Sequence, residues 1–279
     1  MENFLEKDMS IKHFGILAIA VLSCGVVAQQ AQATLLFADN FNAPDGQLDS
    51  ASTAGRVSGL LAGTVGFQSQ QVEQLLVGGQ LQLQNVNYSG TTSVRFNHDY
   101  DWSTGAAGAA ILAAGGMDIS FDWTAPESTS GNWISYSAGI KPGTTDNAYE
   151  VVGSTNSGIL LRDNGGVSSF SNGSASGVNN SFNAASLTHH VDLTYYFSSF
   201  ADGSPATLVA SVDGSVVATQ NFAWNNNGGI IYMELASANS GSNTPLIDNF
   251  AVNTVPEPTS MGLLGLGSIA FLGRRRSAK

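Results

Sequence analysis

From residue 34 onward apolar and polar positions alternate along short stretches broken by Gly, Asn and Ser, and that period-two pattern is the mark of half-buried β-strands. In Met117-Asp118-Ile119-Ser120-Phe121-Asp122-Trp123 every step switches face. Leu187, His189, Val191, Leu193, Tyr195 and Phe197 share one side of a second strand, opposite Thr188, His190, Asp192, Thr194 and Tyr196. Asp213-Gly214 between Ala206–Val212 and Ser215–Phe222 predicts a tight hairpin, because both turn positions tolerate positive φ. Gly78-Gly79 between Val72–Val77 and Gln80–Gln84 predicts another. Further strands are expected at Leu35–Phe41, Trp133–Ile140, Ala148–Val152, Gly158–Arg162, Gly229–Ala236 and Leu246–Val252. Sustained helical periodicity is missing apart from a weak hint around Val72–Leu76, and Gly105–Gly116 reads as loop. Many short strands with such turns predict an all-β, two-sheet antiparallel sandwich.

Two segments follow a different pattern. Phe14–Val27 is an apolar run of 14 residues broken by Ser23, followed by Ala31-Gln32-Ala33. That is the pattern of a secretory signal peptide cleaved between Ala33 and Thr34, so signal peptidase is an expected partner. Glu2, Glu6 and Asp8 sit badly in an n-region, which favours Met9 over Met1 as the initiator. At the other end Pro256-Glu257-Pro258 precedes the 12 apolar residues Met261–Leu272 and then Arg274-Arg275-Arg276. As a helix those 12 residues span about 18 Å, short of a hydrocarbon core of about 30 Å. The arginines stay cytoplasmic by the positive-inside bias, which leaves the domain outside.

Taken together, Pro256 to Pro258, the short Gly-rich apolar stretch and the arginine cluster closely resemble the PEP-CTERM sorting signal. The resemblance implies recognition by an exosortase, a transient inner-membrane tail, and a destination at the cell surface or in the extracellular matrix. The expected organisation is signal peptide 1–33, sandwich 34–254 and sorting tail 255–279.

Composition changes the picture of partners. The chain has 21 acidic and 10 basic residues, and residues 34–254 hold 17 of the former against only Arg56, Arg95, Lys141 and Arg162. So acidic a surface does not suit nucleic acid, which needs clustered Lys and Arg. The single cysteine, Cys24, excludes a disulfide framework and a Cys-rich zinc site.

Asp39-Asn40-Phe41 near the start of the domain is echoed by Asp248-Asn249-Phe250 in its last strand. With the length and strand number, this resembles the concanavalin-like, LamG-like jelly roll, in which first and last strands lie side by side. Other carbohydrate-binding sandwiches and tandem immunoglobulin-like pairs remain alternatives. A glycosidase needs two carboxylates about 5 to 9.5 Å apart. Asp118 and Asp122 share a face but lie roughly 13 Å apart along an extended strand, and the Glu-x-Asp-x-x-Glu motif of laminarinase-like enzymes is absent. Calcium suits an oxygen-rich surface, with Asp39, Asp248, Asp99 and Asp101 as candidate ligands; the competing reading of Asp39 and Asp248 is acceptance of backbone hydrogen bonds at a sheet edge. For polysaccharide contact the candidates are aromatic planes with polar neighbours: Trp133, whose parity with Ser135 and Ser137 predicts an outward serine face, Tyr196 with His190 and Asp192 beside it, and the loop residues Trp102 and Trp224. Trp123, in parity with Ile119 and Phe121, is expected in the core. The function expected is therefore a non-catalytic polysaccharide-contacting module; a glycan-cleaving enzyme and a purely structural surface protein are the alternatives.

Overall fold

The computed structural model describes residues 33–48, 51–62, 67–70, 74–83, 91–96, 102–127, 132–140, 156–172, 174–225, 232–238 and 244–256. The signal segment, the apolar stretch of the tail, the strand expected at 148–152, Asp99 and Asp101 lie outside them. One compact unit runs from Ala33 to Val255.

Two antiparallel sheets build this unit. The larger contains β1 (Leu35–Asp39), β2 (Gly46–Gln47), β3 (Val57–Ser58), β5 (Gln74–Val77), β6 (Gln80–Leu83), β8 (Gly116–Thr124), β13 (Thr188–Phe197), β14 (Pro205–Val212), β15 (Ser215–Ala223) and β17 (Leu246–Thr254). The smaller contains β4 (Phe67–Gln70), β7 (Thr91–Phe96), β9 (Trp133–Ile140), β10 (Ser157–Arg162), β11 (Gly166–Ser171), β12 (Ser174–Ser181) and β16 (Tyr232–Ala238). Strand order in the first is β15-β14-β13-β8-β17-β6-β5-β2, with β1 on β17 and β3 on β1; in the second it is β12-β11-β10-β9-β16-β7-β4. The chain passes repeatedly from one sheet to the other, and the first strand pairs with the last. This is a jelly-roll sandwich.

The alternation read from the sequence points the side chains as expected. Met117, Ile119, Phe121 and Trp123 of β8 are buried, as are His189, Val191, Leu193, Tyr195 and Phe197 of β13. Between the sheets Phe121 and Phe250 stack on Tyr136 of the opposite sheet, with centroids 6.5 and 6.4 Å from its ring. Such aromatic pairs add about 0.5 to 1.5 kcal/mol each beyond their buried area. The Tyr136 hydroxyl, which would otherwise be stranded in the core, donates to Met233 Sδ at 2.6 Å. Asp213 and Gly214 adopt φ of 52° and 74°, the conformation a two-residue hairpin needs.

One expectation fails here. Gly105–Ala114, read as loop, forms an α-helix, α1, closed by Gly115 at φ 80° in the left-handed region. The segment GAAGAAILAA has strong helix formers but no polar residue, so no 3.6-residue contrast betrays it. It buries Ala107, Gly108 and Ile111. Gly116 then has no room for a Cβ, which would collide with the Tyr195 carbonyl.

Candidate functional site

On the outer face of the larger sheet, parity and register assemble a polar field. β13 contributes His190, Asp192, Thr194 and Tyr196. Across from them on β8 stand Asp122, Ser120, Asp118 and Gly116 respectively. β17 adds Asp248 opposite Asp122 and Asn253 opposite Asp118. Its register slips between Asp248 and Ala251, and Asn249 takes φ 51° there, a conformation Asn tolerates better than most residues.

The field is held by side-chain hydrogen bonds. His190 Nδ1 lies 2.6 Å from Asp122 Oδ1 and its Nε2 lies 3.2 Å from Asp192 Oδ1. Since both ring nitrogens face carboxylates, only the protonated imidazolium donates to both. The Asp122 hydrogen bond raises the His190 pKa above the ordinary 6.5, with the Asp192 charge adding to it against some burial. Burial pushes Asp122 up, but hydrogen bonds from His190 and Asn249 outweigh it, so its pKa falls below 3.8. Asn249 Nδ2 donates to Asp122 Oδ2 at 2.7 Å, so both oxygens of that carboxylate are engaged. Thr194 donates to Asp118 at 2.8 Å. Burial nevertheless raises the Asp118 pKa, and the neighbouring Asp192 charge helps. In the half-exposed β14–β15 turn beside the field, Asp213 bonds His189 Nδ1 at 2.8 Å and accepts the His190 N–H at 2.9 Å. His189 itself is buried against Trp123 and Phe182, centroids 5.6 and 4.8 Å away, as a satisfied interior histidine.

Three of the six sequence-proposed contact residues therefore share one surface: Tyr196, 48% exposed, with His190 and Asp192. Three do not. Trp102 and Trp224 are 2% and 3% exposed, so neither offers a ring face to a sugar. Trp224 is wedged against Phe197 and Phe200, with centroids 5.2 and 5.1 Å away. A place in a loop says nothing of burial, and both rings are covered. Trp133 does point away from the main core, but it packs on Leu160 and Phe170 in a separate apolar cluster. The serines in parity with it, Ser135 and Ser137, are 2% and 1% exposed and find no partner for their hydroxyls among the described residues. That face of β9 is covered, contrary to the open serine face its parity suggested.

The calcium candidates separate as well. Asp39 lies opposite Phe250, on the core side. Its Oδ1 accepts the Phe41 N–H at 2.7 Å and its Oδ2 lies 3.4 Å from the Arg56 guanidinium. Asp248 is on the outer side, opposite Asp122. The two carboxylates thus face opposite sides of the sheet and cannot share an ion, and among the described residues no group of three His, Cys, Asp or Glu side chains is placed to hold a metal. Calcium is not supported. Asp118, Asp122, Thr194 and Asn249, absent from the sequence-level contact set, complete the polar field; shared parity was the signal for Asp118 and Asp122 on β8 and for Thr194 with His190 and Asp192 on β13, and none pointed to Asn249.

Residues 254–276 match the PEP-CTERM protein-sorting motif. The chain is accordingly an exported protein with a C-terminal tail that anchors it in the membrane before processing, and it ends at the cell surface or outside. No curated protein matches the sequence. Among solved structures, the chain is similar to the potassium-bound Emp46p carbohydrate recognition domain at 15% identity and a TM-score of 0.41, covering 68% of this chain and 87% of that one. A Bacillus subtilis protein of unknown function with a galectin-like fold is similar at 10% identity and 0.45, over 81% and 97% of the two chains. A carbohydrate esterase of the Shiga toxin-encoding bacteriophage phi24B is similar at 10% identity and 0.45, over 80% and 99%.

Proposed function

We propose that this exported sandwich is a non-catalytic module that contacts extracellular polysaccharide through the outer face of β13, β8 and β17. The observation that carries the reading is the row Tyr196, Thr194, Asp192 and His190, where an exposed ring stands in line with hydrogen-bonding groups already fixed in place. Sugars present C–H faces and a rim of hydroxyls, which such a row matches. Pre-organised groups lose little side-chain freedom on binding, so more of each contact remains as affinity. Asp118, Asp122, Asp192 and Asp248 repel a polyanion and accept hydrogen bonds from hydroxyls, which favours a neutral polymer.

The same reading includes removal of the signal segment between Ala33 and Thr34 by signal peptidase, processing of the tail by an exosortase, and residence in the extracellular matrix. A catalytic role gains nothing from the site, since Asp122 spends both oxygens on His190 and Asn249. A glycan array probed with the exported protein tests the proposal. Binding to one or more neutral glycans is expected, and binding to none of them would return the domain to a structural role.

A further inference from the structure

We propose that the end of the domain from which the sorting tail leaves is a docking surface for the lipid bilayer that holds the unprocessed tail. This goes beyond the polysaccharide reading and rests only on the sorting motif and the packing of this end.

The fold is closed up to the motif itself. Thr254 N donates to Thr34 O at 2.9 Å, Thr34 N donates to Thr254 Oγ1 at 2.8 Å, and Val255 N donates to Gly116 O at 3.1 Å. Val255 is buried and Pro256 exposed. The five residues from Pro256 to Ser260 separate Val255 from the apolar stretch that begins at Met261. Fully extended they reach at most about 18 Å. While the tail is in the membrane, this end of the sandwich has little freedom to stand away from the surface.

The groups around the tail's departure point suit that position. Leu60, Leu112 and Leu35 are 51%, 38% and 37% exposed. Leu35 lies opposite Asn253, one residue before Thr254, and its carbonyl takes the Leu60 N–H at 3.1 Å. Helix α1 packs against β8 and β17 and ends beside Gly116, which holds Val255. Its outward residues are Ala106, Ala109, Leu112 and Ala113. No charged side chain occurs in 34–37, 57–62 or 105–117. Exposed apolar side chains occur elsewhere as well, Val216 at 63% among them, and Asp202 is exposed in the loop after β13, but among the described residues only here do three leucines surround the point where the tail leaves. On a chain of net charge -11 this rim of uncharged segments fits a hydrocarbon boundary better than a second acidic copy of the chain. Because the rim carries no cation, the contact needs no anionic lipid and is insensitive to salt.

The test uses the tail-retaining protein, carrying Cys24→Ser, purified from membranes of a host that lacks exosortase and reconstituted in phosphatidylcholine vesicles with a lipid-borne quencher. A fluorophore is placed at Leu60→Cys, at Ala113→Cys, or at Ser215→Cys beside the hairpin at the far end of β13. Quenching at least threefold stronger at 60 and 113 than at 215 is expected. In the Ala113→Cys protein, Leu35→Ser with Leu60→Ser should bring quenching down to the level at 215, with the melting temperature unchanged. Equal quenching at all three sites overturns the proposal. So does quenching that survives the double substitution, which would mean that the tether and not the rim sets the distance. Cross-linking between copies that is lost with the same substitutions would assign the rim to a second chain instead.

Discussion

Trp123→Ala removes the largest fully buried side chain of the sandwich, and its cost can be weighed term by term. Truncating a buried Trp costs about 3 to 5 kcal/mol through lost transfer energy and the residual cavity. The edge contact with Phe182, centroids 6.0 Å apart at 71°, and the packing on His189 at 5.6 Å also disappear. Against this, the indole N–H finds no acceptor among the described residues, and removing a buried unsatisfied donor returns about 1 to 3 kcal/mol. The cavity and ring-contact losses win, so Trp123→Ala should lose about 1 to 4 kcal/mol in urea unfolding. Trp123→Phe keeps most of the volume and also removes the stranded donor, so it should cost less than about 1.5 kcal/mol. A Trp123→Phe loss equal to that of Trp123→Ala would refute the reasoning, because the indole nitrogen would then be making a bond of its own. A loss under 1 kcal/mol for the alanine variant would refute the core placement.

Burial pushes the Asp39 pKa up from 3.8 to about 6, against the opposing pull of the Phe41 N–H and Arg56. The folded state thus holds a proton that the unfolded chain releases, and the associated stability is fully present below about pH 4 and lost as pH rises through about 6. At about 1.36 kcal/mol per unit, the stability of the parent relative to Asp39→Asn should fall by up to about 3 kcal/mol between pH 4 and 7 in paired denaturation curves; a flat difference would contradict it. For His190, NMR should place the imidazole titration above 6.5, and Asp122→Asn should lower it, because that hydrogen bond is the main cause of the rise. An unmoved midpoint would break the proposed network. Trp133→Ala should destabilise the domain by about 1 to 3 kcal/mol, since the ring packs on Leu160 and Phe170; a change below 0.5 kcal/mol would restore an open face at β9.

How much of this was legible in the sequence depends on which residues carry contrast. β8 and β13 alternate at every step, and their faces, with the burial of Trp123 and of His189, followed from parity. The Asp213-Gly214 turn was legible because few dipeptides accept positive φ twice. Strands such as Gly166–Ser171 and Ser174–Ser181 have sequences rich in Ser, Asn and Gly with few apolar residues, so alternation does not mark them. α1 escaped for the opposite reason, being apolar all round. At the site, parity placed His190, Asp192 and Tyr196 together, yet it says nothing about what covers a face. That is why Trp133 and the serines beside it were misjudged, and why Trp102 and Trp224 were given surfaces they do not have. The pairing of Asn249 with Asp122 depends on a register slip in β17, which no local pattern encodes.

Affinity electrophoresis through gels containing the host's extracellular polysaccharide is the most direct test of the contact face. The exported protein should be retarded, Tyr196→Ala should migrate as in a polysaccharide-free gel, and Trp133→Ala, if folded, should be retarded like the parent. Retention that survives in Tyr196→Ala but is lost in folded Trp133→Ala would move the contact to the opposite sheet and contradict the account.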